Sequence, residues 1–255
     1  MTAFRRLAFT ALATSAALAL ASCGSKDDTT SGAAKAAPVA PVPPPAGQTW
    51  SDVVSATPDG GMRMGNPDAP IKVVEYGSMS CPHCAKLSND GSKTLTEKYV
   101  NSGRVSYEFR SYIIHGSIDV ILTMMAECAD KSAFFPLVQQ IYATQDQWIA
   151  VAEKAGAQAQ AAGNLPPAQR FAALADAYGL TDWFAARGLS KDQAHACLAK
   201  PQDAQTIAAR TQKWYQDQGI DSTPTLFING SKLEVPAGTE PWDALNAALQ
   251  NAGAR

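Results

Sequence analysis

No excess of positive charge marks this sequence: Lys+Arg number 21 against Asp+Glu 23, a formal net charge of −2. A sequence-independent nucleic-acid binder needs a basic surplus for the phosphate backbone, so that class is excluded. Charged residues are also sparse, at 17%, against 46% apolar residues. This is a globular composition, unlike that of a disordered chain or a long coiled coil. Histidine is scarce, with three in 255 residues, and no closely spaced second cysteine pair exists to complete a zinc ribbon. Residue 85, directly after Cys84, is Ala rather than His, which excludes a c-type haem attachment. No metal site and no cofactor is expected.

Hydrophobic runs long enough to span a bilayer are missing too. The longest, Leu7 to Leu20, is short of the roughly 20 residues that a membrane helix requires. With Arg5 and Arg6 before it and small residues after it, residues 1–22 read as an export signal. Leu20-Ala21-Ser22-Cys23 resembles a bacterial lipobox, so Cys23 is the expected lipidation site. Cleavage there would remove two arginines and take the formal charge from −2 to −4. Residues 24–48 are Gly, Ser, Thr, Lys, Asp and Ala, then Pro38, Pro41 and Pro43-Pro44-Pro45. Such a segment favours polyproline geometry and could reach about 80 Å at ~3.1 Å per residue. Residues 23–48 are therefore expected to be a lipidated tether. The compartment is expected to be the periplasmic side of a bacterial membrane, where disulfides persist.

Five cysteines are an odd count. With Cys23 acylated, Cys81, Cys84, Cys128 and Cys197 remain. The first two form Cys81-Pro82-His83-Cys84. Before them lies the β-rich run Ile71-Lys72-Val73-Val74-Glu75-Tyr76, which follows the turn-like Asn66-Pro67-Asp68-Ala69-Pro70. After them a helix is expected towards Tyr99-Val100, although Asn89, Asp90 and Gly91 weaken it. Cys81 thus sits where a strand feeds a helix N-terminus, where unpaired N–H groups and the helix dipole favour an anion. Helix-end thiols fall from about 8.5 to between about 3.5 and 7.5. A thiol brought to about 4 would stabilise the reduced form at pH 7 by roughly 4 kcal/mol. That is on the order of 90 mV towards a more oxidising disulfide. The same residues in an apolar loop would make an inert crosslink.

The segment Glu75-Tyr76-Gly77-Ser78-Met79-Ser80-Cys81-Pro82-His83-Cys84 resembles the active site of DsbA-type thiol–disulfide oxidoreductases, and Ser222-Thr223-Pro224-Thr225 resembles the cis-proline segment of the same superfamily. The resemblance covers about residues 60–255. It implies an α/β, thioredoxin-like fold with an inserted all-helical domain. Residues 49–114 and 221–255 would form the thioredoxin-like unit and 115–220 the insertion. It implies that Cys81 is the exposed nucleophile and Cys84 its buried partner, that His83 tunes the thiolate and Pro82 completes the motif. Thr223 and Pro224 would line a groove where an extended peptide pairs as an added strand. Glu75 would lie beneath the site with a raised pKa and relay a proton to or from Cys84.

Elsewhere, residues 104–112 alternate as a strand, and residues 116–219 carry helical spacing. An even remainder of cysteines in an oxidising compartment suggests a structural Cys128–Cys197 disulfide. His115 and His195 read as isolated, and Trp148, Trp183 and Trp214 as packing within the helical domain. Thr225–Ile228, the Asn229-Gly230 turn and Lys232–Val235 form a hairpin, and Pro241–Ala252 a terminal amphipathic helix. The expected function is an oxidase that donates its Cys81–Cys84 disulfide to reduced, unfolded exported proteins and is reoxidised by a DsbB-like membrane partner. A reductase or isomerase on the same fold is the first alternative, favoured by Thr223. A membrane-tethered, chaperone-like peptide-binding module is the second. No dimerisation arm is apparent, so a monomer is expected.

Overall fold

The computed structural model describes residues 35–255. The predicted signal peptide, Cys23 and the first part of the tether lie outside the described residues. Among these residues no helix is long and apolar enough to cross a membrane.

A six-stranded sheet forms the centre, in the order β1-β2-β4-β3-β5-β6. Its strands are β1 (Val54–Ala56), β2 (Met62–Gly65), β3 (Ile71–Gly77), β4 (Val105–Ser111), β5 (Thr225–Ile228) and β6 (Ser231–Lys232). Only β3 and β4 are parallel, in register from Ile71↔Val105 to Gly77↔Ser111. A parallel pair needs a long crossover. Here it is α1 (Pro82–Thr94), continued by a π-helical segment at Leu95–Val100. Pro82 occupies the first helical position, where its missing N–H costs nothing and its fixed φ suits the helix. Gly91 is accommodated because the Trp242 ring packs directly on it, from α10 (Pro241–Asn251).

Eight helices separate β4 from β5: α2 (Ser117–Cys128), α3 (Phe134–Ala143), α4 (Gln145–Glu153), α5 (Gly156–Gly163), α6 (Pro167–Ala177), α7 (Leu180–Ala185), α8 (Lys191–Leu198) and α9 (Pro201–Gln218). They share the sheet's core rather than standing apart from it. Phe134 and Phe135 of α3 pack on Phe109 and Tyr107 of β4, with ring centroids 6.2 and 5.6 Å apart. Trp214 differs from expectation: it packs edge-on against Tyr76 of β3 at 5.3 Å, so α9 covers the opposite face of the sheet. Trp148 is buried, and its Nε1 donates to the Ile141 carbonyl at 2.9 Å. Cys128 at the end of α2 and Cys197 on α8 are joined as a disulfide, with Cα atoms 6.3 Å apart.

Three further features depart from the sequence reading. Strands β1 and β2 were not expected, because three or four residues carry too little periodicity; β2 is defined by pairing with β4. The β5–β6 hairpin is shorter than expected. Asn229 and Gly230 turn with φ of 50° and 82°, but regular pairing stops at Lys232, with one further bond from Leu233 N–H to the Leu226 carbonyl at 2.8 Å. Third, the later part of the expected tether lies along the folded unit. Ala36, Val39 and Val42 donate their N–H groups to the carbonyls of Asn251, Gly253 and Ser102, at 2.8 to 2.9 Å. That spacing of three matches the turn of a polyproline II helix, which aims every third N–H to one side. Trp50 Nε1 and Arg104 Nε in turn donate to the carbonyls of Val42 and Val39, at 2.7 and 2.6 Å.

Candidate active site

Cys81 is the N-cap of α1, in extended conformation with φ −78° and ψ 124°. The strand–helix junction therefore delivers it to the free N–H groups of the first turn. Its pKa is lowered to about 5. Hydrogen bonding from the Cys84 thiol is the largest cause, opposed by burial and assisted by Thr223 and by the backbone N–H groups of Cys84 and His83. The two thiols diverge. Burial pushes Cys84 well above the ordinary thiol value, helped by the Cys81 hydrogen bond and by the charge of Glu75. One sulfur thus favours the thiolate and the other holds its proton.

The expected exposure of Cys81 needs correction: the residue is 4% exposed, and its Sγ lies 3.5 Å from the Thr223 carbonyl oxygen. Sheet pairing explains the shielding. β5 runs beside β3, which brings the cis peptide Thr223–Pro224 against a cysteine 142 residues away. The Thr223 hydroxyl is buried without a hydrogen-bond partner. It is the donor that a thiolate at position 81 can use. His83 and Pro82 are exposed; the assistance from His83 comes from its backbone N–H, not from the ring.

Glu75 lies on β3, 4% exposed, and Tyr107 Oη donates to its Oε2 at 2.6 Å. Loss of hydration raises its pKa to about 7; the Tyr107 bond lowers it and the charge of Cys81 raises it. Its alternation partner Gly77 must be glycine, because a Cβ there would sit 2.7 Å from Glu75 Oε1 and against the Phe109 ring.

One group went unread in the sequence. Asp119 of α2 is 1% exposed, and its carboxylate lies against Ser78 and Ser80, immediately before Cys81. His115 is no isolated residue, since its Nδ1 lies 2.6 Å from Ser80 Oγ. His195 stands apart, paired with Asp176 at 2.9 Å. The signal available for Asp119 was a lone acid within the apolar run Ile118 to Met125, whereas Glu75 was singled out by the family resemblance.

The thioredoxin family profile matches residues 57–250. This chain belongs to the thioredoxin family. A solved structure of a protein-disulfide isomerase from Novosphingobium aromaticivorans is 30% identical, with a TM-score of 0.66 over 74% of this chain and 94% of that one. Wolbachia pipientis alpha-DsbA1 shares the fold, with 19% identity and a TM-score of 0.59 over 80% of this chain and 96% of that one. Among curated relatives, a Rickettsia bellii protein whose name provisionally reads protein-disulfide oxidoreductase is 26% identical over 174 residues. That alignment covers 68% of this chain and 58% of the Rickettsia protein, so the chain spans under three fifths of that relative's length.

Proposed function

We propose that this protein is a thiol–disulfide oxidoreductase whose oxidised form donates the Cys81–Cys84 disulfide to exported proteins. The observation that carries this reading is the opposed tuning of two adjacent sulfurs, with Cys81 lowered to about 5 and Cys84 pushed up by burial. A substrate thiolate attacks the Cys81 sulfur, the Cys81–Cys84 bond breaks, and Cys84 leaves with the electron pair and takes a proton. On this reading Glu75, whose carboxyl is raised by burial and whose charge is felt by Cys84, supplies that proton near neutral pH. A second substrate thiolate then attacks the substrate sulfur of the mixed disulfide, and Cys81 leaves as a thiolate. Two electrons pass from the substrate dithiol to the enzyme. Its low pKa makes Cys81 the better leaving group, which favours release of oxidised substrate.

Turnover on this reading requires a DsbB-like membrane partner to withdraw the two electrons. The anchor is a lipid on Cys23, on the periplasmic side of a bacterial membrane. An isomerase is the second reading, favoured by Thr223 before Pro224 and by the name of the Novosphingobium relative. Mixing the oxidised protein with a reduced, unfolded test protein and counting free thiols separates the readings. Rapid loss of substrate thiols, abolished in Cys81→Ser, is expected. Activity confined to scrambled disulfides would select the isomerase, and function unchanged in Cys81→Ser would defeat both.

A further inference from the structure

We propose that Asp119 is a positioning residue for Cys81, through which the helical insertion holds the redox loop in its working shape. The inference rests on the reading of Cys81 as the nucleophile. Asp119 Oδ1 accepts from Ser78 Oγ at 2.8 Å, Ser80 Oγ at 2.6 Å and Ser80 N at 3.2 Å. Its Oδ2 accepts from the backbone N–H groups of Ile114 and His115, at 2.9 and 2.8 Å. Five donors from two separate loops converge on one carboxylate. Only a group that accepts through both atoms serves all five; an apolar side chain of that size would orphan the Ile114 and His115 N–H groups and leave the serines to each other and to His115.

The proton positions follow. Ser80 gives its single hydroxyl proton to Asp119, so the 2.6 Å contact with His115 is a bond donated by His115 Nδ1–H. The same loop is held twice more by the insertion. Tyr142 Oη donates to the Ser78 carbonyl at 2.9 Å, and Gln145 Nε2 to the carbonyls of Met79 and Cys81 at 3.2 and 3.3 Å. Cys81 N–H closes onto the Ser78 carbonyl at 3.1 Å. The backbone that points the N–H groups of His83 and Cys84 at the sulfur is thus set by side chains outside the thioredoxin-like unit. Releasing Asp119 lets residues 78–81 shift and the donors to the thiolate lengthen.

The test measures the alkylation rate of reduced protein against pH, in wild type, Asp119→Ala, Asp119→Asn and the Ser78→Ala/Ser80→Ala pair. Asp119→Ala is expected to slow alkylation at pH 5 by about fivefold as the Cys81 midpoint moves up; the serine pair moves it in the same direction by less. Asp119→Asn keeps one oxygen for the Ile114 and His115 N–H groups and turns its NH₂ towards the serines. Ser80 then donates to His115 Nδ1, so the ring proton moves to Nε2, which ring ¹⁵N NMR reads directly. Should Asp119→Ala not fold, the other two variants decide. A midpoint and ring pattern unchanged from wild type in the folded variants overturns the role of Asp119 alone. A wild-type midpoint near that of free cysteine overturns the proposed function, and this inference with it.

Discussion

Reducing the Cys81–Cys84 disulfide takes up two electrons and, near pH 7, one proton. Cys81 remains a thiolate because its pKa is about 5, while burial keeps the proton on Cys84. The midpoint potential should therefore fall by about 30 mV per pH unit above pH 5 and by about 59 mV per unit below it. At pH 7 the solution lies two units above the Cys81 value. That gap stabilises the reduced form by about 3 kcal/mol over a pair of ordinary thiols, or about 60 mV. The displacement is towards a stronger oxidant. Equilibrating the protein with glutathione buffers from about pH 4 to about pH 8, and trapping free thiols at each point, gives the curve. A slope near 59 mV maintained to pH 8 would mean that both thiols bind protons on reduction. The account of Cys81 would then be refuted, and with it the proposed direction of disulfide transfer. Cys84→Ala tests the cause: losing the largest of the lowering contacts should raise the Cys81 midpoint by about 1 to 2 units.

Glu75 makes the oxidised protein less stable as pH rises. Burial is the largest cause of its raised pKa and does not depend on the Cys81 charge, so charging the carboxyl costs more in the folded state than in the unfolded chain. The penalty is absent below about 4.5 and grows as the pH rises through the raised folded value, to at most about 3 kcal/mol. Urea unfolding of oxidised Glu75→Gln should lose this fall in stability; an unchanged pH profile would place the carboxyl in water. Breaking the Cys128–Cys197 disulfide, which spans 69 residues, should lower stability by about 4 kcal/mol on the loop-entropy account, read as a drop in urea midpoint for Cys128→Ala/Cys197→Ala. Gly91→Ala would drive a methyl group into the Trp242 ring and part α1 from α10. Overpacking of about 1 to 3 kcal/mol exceeds the helix-propensity gain of up to about 1 kcal/mol, so a lower melting temperature is expected; a rise would show that Trp242 swings away freely.

Chemistry confined to a few adjacent residues was legible in the sequence. Cys81, Pro82 and the run from Ile71 mark a strand–helix junction because the β-rich run and proline at the first helical position act locally. The place of a thiol at a helix N-terminus followed from that alone, while the largest cause of its lowered pKa is the Cys84 thiol one turn on. The acid at position 75 was visible as a charge in an apolar strand, but its state near neutral pH depends on how completely α1, α3 and α10 close over it. The same holds for Asp119. Its place in α2 was readable, while its partners come from loops about 40 residues earlier and 4 to 5 residues before it. Trp214 was assigned to the wrong neighbours because helical periodicity identifies an apolar face, not the surface it meets. The docking of residues 36–42 needed the carbonyls of Ser102, Asn251 and Gly253, all distant in sequence.

By itself, then, the sequence determined where a reactive sulfur would arise, since backbone geometry within a turn is a local property. The tertiary structure alone decided how that sulfur is screened, what donates to it and which buried carboxylates surround it. Those contacts join segments up to 142 residues apart, and only closure of the sheet and the helical insertion brings them within hydrogen-bonding range.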